Sequence, residues 1–349
     1  MAAGLVQEVR RAGGLTFARF MSLALYGEDG YYNRRVRIGE EGGDFYTASG
    51  MPLFAHTLAL WAERVWRRWR RPRYLQVVEI GPGQGEFAQA FLSAWRTQMD
   101  KVCELRYVLV ERAPGLRRLQ RERLRTFPEV VWDDILADWP TLVVGNEVLD
   151  ALPVERVRRR RDGWDQAWVV WDEARNRLAL IWRPTDGLVT DLAYRYVDCP
   201  VNCQAEVAVS LTEFFHHLRR MAVPLSCVFF DYGITREEWQ AGVRPNGTLR
   251  GYQGHRVLDL DAILDCPGAV DVTADVNWTQ VRETAAASGF TVLPLRSQGQ
   301  FLLHEGILQA AEALAATAAW PNVAEQIKRL TLPTFMGERF SVLELRAGE

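Results

Sequence analysis

Residues 77–85 read Val77-Val78-Glu79-Ile80-Gly81-Pro82-Gly83-Gln84-Gly85. An apolar run typical of a buried strand passes directly into three glycines at alternate positions, and an amphipathic segment follows at residues 86–99. Because glycine has no Cβ, the backbone of such a turn can lie against a ligand, and the next helix offers free N–H groups at its start. The pattern predicts a strand–turn–helix unit with a ligand at the turn.

The spacing of the glycines narrows the choice of ligand. A dinucleotide fingerprint is G-x-G-x-x-G and serves a pyrophosphate, whereas this turn is G-x-G-x-G with Glu79 on the strand before it. A carboxylate there would repel a pyrophosphate but suits the ammonium group of an amino-acid ligand. S-Adenosylmethionine carries such a group, so it is the cofactor we expect at Gly81, Gly83 and Gly85. A plain tight turn is the alternative.

Strands and helices alternate around this turn. Apolar, β-rich runs at 74–80, 105–110, 130–132 and 141–145 are separated by helical patterns such as 86–99 and 116–124. Further strands are predicted at 225–230, 291–295 and 340–345. Strand–helix–strand alternation predicts an α/β fold with a parallel sheet, and ligands bind such sheets at the carboxyl ends of the strands.

The pattern changes on both sides of this sheet. Residues 1–70 contain helical spacing interrupted by a Gly- and Tyr-rich loop at 27–50, and we interpret them as a helical lid segment. Three β-rich runs between 154 and 182 predict a β-meander inserted as a cap at 154–202. The core built on the parallel sheet would then comprise 71–153 and 203–349, with a long Gly- and Arg-rich loop at 234–270.

Polar residues follow several of these strands. Glu111 ends the second strand, where a carboxylate can accept hydrogen bonds from both ribose hydroxyls, as in dinucleotide folds. Asp134 and Ile135 follow the third strand and are candidates to meet the adenine, and Asn146 ends the fourth beside the cofactor. Solvated carboxylates at strand ends are the alternative for the two acidic residues.

The segment after the fourth strand is where a methyl acceptor should meet the cofactor. Glu147 and Asp150 are candidate catalytic residues, because carboxylates grip a guanidinium in bidentate fashion and orient its nitrogen. Asp231, at the end of a later strand, is a third candidate. A capped turn is the alternative for this segment.

Composition bounds the class of protein. The 349 residues are 48% hydrophobic and 25% charged with a net charge of −2, so no global field points to nucleic acid. No apolar run approaches the roughly 20 residues of a membrane span. Of the five cysteines, Cys199 and Cys203 could begin a metal site with His216 or His217, but no second pair has a usual zinc spacing. We expect free thiols and no metal.

The chain resembles the MidA family, the bacterial relatives of the mitochondrial complex I assembly arginine methyltransferase. The shared motifs run through nearly the whole sequence in one order, at 15–21, 30–32, 43–49, 79–85, 110–117, 146–153, 231–233, 247–250, 271–277, 298–303 and 336–338. The resemblance implies a class I methyltransferase, with a Rossmann-like sheet of seven strands of which the last is antiparallel. It also implies that S-adenosylmethionine binds at the glycine turn and at Glu111.

The resemblance further implies a protein arginine as acceptor, in a subunit of a respiratory complex. We expect Asp44, Phe45 and Thr47 to fold over the cofactor as part of the N-terminal lid. We expect the chain to be a bacterial cytoplasmic protein. A homodimer is compatible with the sequence. Two other functions remain open: a small-molecule methyltransferase, and a non-catalytic assembly factor that binds the cofactor.

Overall fold

A computed structural model describes residues 3–33, 47–99, 103–254, 256–316 and 318–348. Contacts between residues divide the chain into two compact units. The sheet unit comprises 46–148, 215–232 and 285–349, and the meander unit comprises 1–45, 149–214 and 233–284. No helix of the described ranges is both long and apolar enough to cross a membrane.

Thirteen α-helices are found in the described part of the chain. In order they are α1 Ala3–Ala12, α2 Phe17–Tyr26, α3 Pro52–Arg68, α4 Glu86–Met99, α5 Pro114–Arg123, α6 Gly187–Tyr196, α7 Leu211–Arg219, α8 Arg236–Gln240, α9 Leu260–Asp265, α10 Trp278–Ala287, α11 Gln298–Glu305, α12 Ile307–Ala315 and α13 Trp320–Thr331. Three of them, α3, α5 and α13, have a proline in the first turn, where its missing N–H costs no hydrogen bond.

Eighteen strands are found in the same residues. They are β1 Leu15–Thr16, β2 Tyr74–Ile80, β3 Glu104–Val110, β4 Val130–Trp132, β5 Thr141–Asn146, β6 Glu155–Arg160, β7 Gly163–Asp172, β8 Arg177–Thr185, β9 Gln204–Val207, β10 Leu225–Asp231, β11 Gly233–Ile234, β12 Arg250–Gln253, β13 Arg256–Leu258, β14 Asp271–Thr273, β15 Val276–Asn277, β16 Thr291–Val292, β17 Arg296–Ser297 and β18 Ser341–Ala347.

The sheet unit is built on one mixed sheet in the order β16-β18-β10-β5-β2-β3-β4, with β17 also paired to β18. Strands β2, β3, β4, β5 and β10 are parallel, and β18 is antiparallel to β10. Short strands β16 and β17 lie one after the other along β18, so together they fill one position. The predicted seven-stranded sheet with an antiparallel last strand is therefore confirmed.

The core of the sheet unit lies between this sheet and the helices α3, α4, α11, α12 and α13. Helix α3 turns its apolar positions, such as Leu58 and Trp61, toward this core, and Phe54 meets Phe230 edge-on at 4.8 Å between ring centroids. Strand β2 is buried at its five inner positions and lies between β3 and β5. The glycine turn thus follows a buried, central strand of this sheet.

The meander unit contains a second, antiparallel sheet in the order β1-β7-β6-β9, with β8 paired to β7. The three predicted runs of the meander correspond to β6, β7 and β8. A separate apolar cluster packs under this sheet and includes Trp164 and Trp239. Cys199 and Cys203 are buried in the same cluster as free thiols.

Two boundaries differ from the sequence analysis. Residues 203–214 and 233–284 group with the meander, and helix α3 belongs to the sheet unit although α1 and α2 do not. The segment 234–270 is not one long loop, because it contains α8, β12, β13 and α9. Each of these elements has six residues or fewer, which is too short for hydrophobic periodicity to show in the sequence.

Candidate active site

The carboxyl ends of the parallel strands meet at one edge of the sheet. Ile80 at the end of β2 is in register with Val110 of β3 and with Gly145 of β5, and Phe230 of β10 is in register with Asn146. The residues that follow these strands are therefore neighbours. This is the edge where the sequence analysis places the ligand.

The glycine turn has the conformation that its composition predicts. Gly81, Gly83 and Gly85 have φ angles of 66°, 52° and 81°, a region that other residues rarely occupy. A Cβ on Gly85 would lie 3.3 Å from the side chain of Leu124 on the segment that ends α5, which is tighter than ordinary contact. Helix α4 begins directly after the turn, at Glu86.

Glu79 is buried beneath the turn. Its carboxylate accepts a hydrogen bond of 2.8 Å from the Tyr107 hydroxyl, and 4% of the residue is exposed. Burial raises the pKa of Glu79 to about 8; the Tyr107 hydrogen bond opposes this shift, and the nearby Glu111 carboxylate adds to it. The group therefore holds a proton near neutral pH and would ionise more easily beside a cation.

Glu111 stands at the tip of β3 with both carboxylate oxygens engaged. Oε1 accepts from the backbone N–H of Ala113 at 2.8 Å, and Oε2 accepts from the Gln120 side chain at 3.4 Å. Burial raises the pKa of Glu111, whereas these donors and the guanidinium of Arg117 act in the opposite direction. Each carboxylate oxygen has two lone pairs, so each can accept one further hydrogen bond, for example from a ribose hydroxyl.

The loop after β4 carries two acidic residues that pair with arginines. The carboxylate of Asp134 pairs with Arg106, and its side chain is 66% exposed. Asp133, which has a φ of 55°, pairs with Arg117. Both carboxylates thus pair with arginines of the chain itself, and each keeps further lone pairs that could accept from an adenine amino group. Ile135 is half-buried beside them.

Asn146 links the end of β5 to the segment that precedes α3. Its Nδ2 donates to the Thr47 hydroxyl at 2.9 Å and to Glu147 Oε1 at 3.0 Å. Because both donors are used, the amide oxygen must face the other way. Asn146 Oδ1 is buried and has no hydrogen-bond partner among the described residues. A buried acceptor of this kind calls for a donor from a ligand.

Glu147 has an unusual backbone. Its φ is 54°, in the left-handed region that costs a residue with a Cβ roughly 1 kcal/mol, and its N–H is tied to the carbonyl of Phe230 at 2.9 Å. Strained residues of this type cluster at functional sites. Asp231, next after Phe230, is fully buried and accepts from the backbone N–H of Tyr232 at 3.0 Å.

The structure brings most, but not all, of the predicted residues together. The glycine turn, Glu79, Glu111, Asn146, Glu147 and Asp231 meet at the sheet edge, and Thr47 joins them through Asn146. Asp150 belongs to the meander unit, where it is buried and its carbonyl accepts from the N–H of Ala274 at 3.0 Å. Asp44 and Phe45 lie outside the described residues.

Two residues of this site were missed in the sequence analysis. Tyr107 supports Glu79 from the middle of β3, and Gln120 bonds both Glu111 and the carbonyl of Gly83 from α5. Position 120 did give a signal, because a lone Gln occupies the inward face of a strongly basic helix. Nothing in the sequence states which strands that face would meet.

The arrangement suits S-adenosylmethionine. The turn exposes backbone where side chains would block a ligand, Glu111 offers acceptors for a sugar, and Asn146 Oδ1 with Glu79 offers acceptors for an ammonium group. Neither Glu79 nor Glu111 supplies the positive charge that a pyrophosphate needs, which disfavours a dinucleotide at the turn. The residues therefore fit the cofactor that the glycine spacing predicted.

Comparisons with known proteins agree with this geometry. Residues 57–295 match the sequence model of a family described as "Putative S-adenosyl-L-methionine-dependent methyltransferase". The chain is 26% identical over 390 residues to the human "Protein arginine methyltransferase NDUFAF7, mitochondrial", covering 98% of this chain and 82% of the relative. It is 25% identical over 334 residues to the Xenopus tropicalis protein of that name, covering 87% of this chain and 74% of that relative.

A solved structure is similar over almost the full length. It is a "likely methyl transferase" from Burkholderia thailandensis bound to S-adenosyl-homocysteine, with a TM-score of 0.88, 29% identity, and coverage of 99% of this chain and 92% of that one. A second structure from the same organism has a TM-score of 0.85 and 28% identity, with coverage of 99% of this chain and 91% of that one. The family match spans more than half of the sequence, and the fold and glycine turn accord with it. The chain belongs to this family of S-adenosyl-L-methionine-dependent methyltransferases.

Proposed function

We propose that this enzyme methylates an arginine side chain of a protein. The observation that carries the proposal is Glu147, a carboxylate held at a strained φ of 54° at the sheet edge, next to the partly unsatisfied amide of Asn146. The named function of the curated relatives, protein arginine methyltransferase, supports the same acceptor. Their match covers most of both chains, which favours a shared reaction.

When bound, S-adenosylmethionine supplies an electrophilic methyl group on its sulfonium. We propose that Gly81, Gly83 and Gly85 hold it by backbone contact, Glu111 by the ribose, and Glu79 and Asn146 at the amino-acid end. Thr47 would act indirectly, because its hydroxyl fixes the Asn146 amide. Asp44, Phe45, Asp134 and Ile135 remain further proposed contacts, of which Asp134 is the least supported, because its carboxylate pairs with Arg106.

Glu147 would receive the acceptor. A carboxylate binds two N–H groups of a guanidinium in one plane and so leaves the third nitrogen directed away from it. The hydrogen bond from Asn146 Nδ2 to Glu147 Oε1 restrains the carboxylate before the acceptor arrives, which lowers the entropic cost of alignment. Asp150 and Asp231 are the other carboxylates that we propose for this task. Burial of Asp231 favours a supporting part for it.

The direct test pairs turnover with ligand affinity. Glu147→Gln keeps the shape of the side chain but removes the charge that a guanidinium needs, so methyl transfer to protein should fall at least tenfold. The affinity for S-adenosylhomocysteine, measured by calorimetry, should stay within about twofold of the parent. Loss of that affinity, or unchanged transfer, would reject the role of Glu147.

The acceptor itself is tested by labelling. Purified enzyme and methyl-labelled cofactor are added to a lysate of cells that lack this protein, and the lysate is then separated into proteins and small metabolites. Label on arginine residues, located by mass spectrometry, is the expected result. Label confined to metabolites would identify a small-molecule methyltransferase, and label in neither fraction would favour a non-catalytic assembly factor.

We further propose that the acceptor is a respiratory-complex subunit and that the reaction takes place in a bacterial cytoplasm. The support for both is the motif resemblance alone. The labelled protein in the lysate experiment names the acceptor, and cell fractionation locates the enzyme. A homodimer is compatible with the sequence and is tested by light scattering of the purified chain.

A further inference from the structure

Helix α5 carries one fully buried polar side chain, Gln120, on a helix otherwise rich in arginine. Burying an amide without partners costs about 1–3 kcal/mol, so the buried Gln120 amide needs hydrogen-bond partners. All of them lie in the sheet unit, and each joins a different strand end. Nothing in the reaction proposed above uses this residue.

The three contacts are well defined. Gln120 Nε2 donates to the carbonyl of Gly83 at 2.7 Å, and it also donates to Glu111 Oε2 at 3.4 Å. Its Oε1 accepts from the indole N–H of Trp132 at 2.9 Å. Gly83 follows β2, Glu111 follows β3 and Trp132 ends β4. One amide therefore ties together the loops of three neighbouring strands.

The contacts also constrain Glu111 itself. The backbone N–H of Ala113 holds one carboxylate oxygen at 2.8 Å, and Gln120 holds the other. With both oxygens held, rotation of the carboxylate plane about its last bond is restricted. Hydrogen bonds of this kind also favour the charged form of a buried carboxylate, which is the form that accepts from sugar hydroxyls.

We propose that Gln120 is a positioning residue for the cofactor: it fixes the plane and charge of Glu111 toward the ribose and, through the Gly83 carbonyl, fixes the glycine turn at a set distance from it. The inference rests on the proposed assignment of Glu111 to the ribose. Gln120 itself does not touch the reacting atoms. Its effect is on affinity and on the discrimination of the sugar.

The experiment compares two methionine substitutions in the intact protein. Gln120→Met keeps the length of the side chain and removes its hydrogen bonds. Gln76→Met is the matched control, because Gln76 is also fully buried in the sheet unit but bonds Thr141 and the backbone of Leu136. Calorimetry then measures the affinity of each protein for S-adenosylhomocysteine and for its 2′-deoxy analogue.

We expect Gln120→Met to weaken S-adenosylhomocysteine binding about tenfold, the loss of one hydrogen bond to a charged group. The penalty for removing the 2′-hydroxyl should shrink in this variant, because a rotating Glu111 no longer reads the sugar. Gln76→Met should lower thermal stability by a similar amount but keep the parent's preference between the two ligands. Equal losses for both ligands in Gln120→Met would reduce Gln120 to a structural contact and overturn the inference.

Two further variants separate the possible failures. Glu111→Gln should abolish most of the preference for the 2′-hydroxyl, and if it does not, the ribose assignment fails and Gln120 with it. Gln120→Glu places a second carboxylate against Glu111. The dissociation constant of the Gln120→Glu variant for S-adenosylhomocysteine, divided by that of the parent, should therefore rise from pH 6 to pH 8. A ratio that stays constant over that interval contradicts an electrostatic link between the two residues.

Discussion

Glu79 should make the folded state of this enzyme less stable as pH rises, which is opposite to the usual effect of a carboxyl group. In the folded chain its pKa is about 8, against an ordinary value of 4.5, because the carboxyl is buried; the Tyr107 hydrogen bond opposes the shift and the Glu111 carboxylate adds to it. Between these two values the folded state holds a proton that the unfolded chain has lost. The stabilising effect of this proton is complete below pH 4.5 and disappears as pH rises through 8.

The size of the effect follows from the interval between the two pKa values. At about 1.4 kcal/mol per pH unit, the folded state should lose up to about 5 kcal/mol from this group between pH 4.5 and pH 8. Relaxation of the surroundings reduces this figure, so it is an upper bound. Glu79→Gln keeps an acceptor for the Tyr107 hydroxyl and cannot ionise, so the variant should lack this loss.

The assay is urea unfolding of the parent and of Glu79→Gln at pH 6, 7, 8 and 9. The difference in free energy of unfolding isolates Glu79, because Glu111, whose pKa is also raised, is present in both proteins. We expect the variant to gain at least 2 kcal/mol on the parent between pH 6 and pH 9. Parallel curves over this range would refute the buried, protonated state of Glu79.

Three substitutions test other parts of the account. Glu147→Gly relieves the positive φ, a gain of about 1 kcal/mol that offsets the greater freedom of glycine in the unfolded chain, so the free energy of unfolding should change by less than about 1 kcal/mol while methyl transfer is lost; a larger loss in thermal unfolding would contradict this. Gly85→Val adds a side chain at φ 81° against Leu124, and calorimetry should show at least a tenfold loss of S-adenosylhomocysteine affinity. Arg156→Ala breaks a buried ion pair of 3.4 Å with Glu206 and should cost about 3 kcal/mol in urea unfolding, a loss that an unchanged midpoint would exclude.

The sheet and the glycine turn could be predicted because their signals are local. Each strand is an apolar run, and the three glycines mark backbone conformations that few other residues adopt. Glu79 and Glu111 follow from their places at successive strand ends. The residues proposed for the cofactor site could thus be named before their distances were known.

The remaining features depend on the folded chain as a whole. Gln120 contacts three strand ends that converge on one face of α5. The sequence of α5 does not predict that convergence. The φ of Glu147 is set by the hydrogen bond from its N–H to Phe230, a residue more than 80 positions away. The pairing of Asp134 with Arg106 could not be predicted, because Arg106 lies on a neighbouring strand.

The central claim is that S-adenosylmethionine lies along the glycine turn with its ribose on Glu111. A crystal structure of the complex with S-adenosylhomocysteine tests this most directly. The account predicts that the backbone of Gly81 and Gly83 contacts the ligand, that both ribose hydroxyls lie within 3 Å or so of the Glu111 carboxylate, and that Asn146 Oδ1 accepts from the ligand's ammonium group. A ligand bound away from the turn, with Glu111 still held only by Ala113 and Gln120, would contradict it.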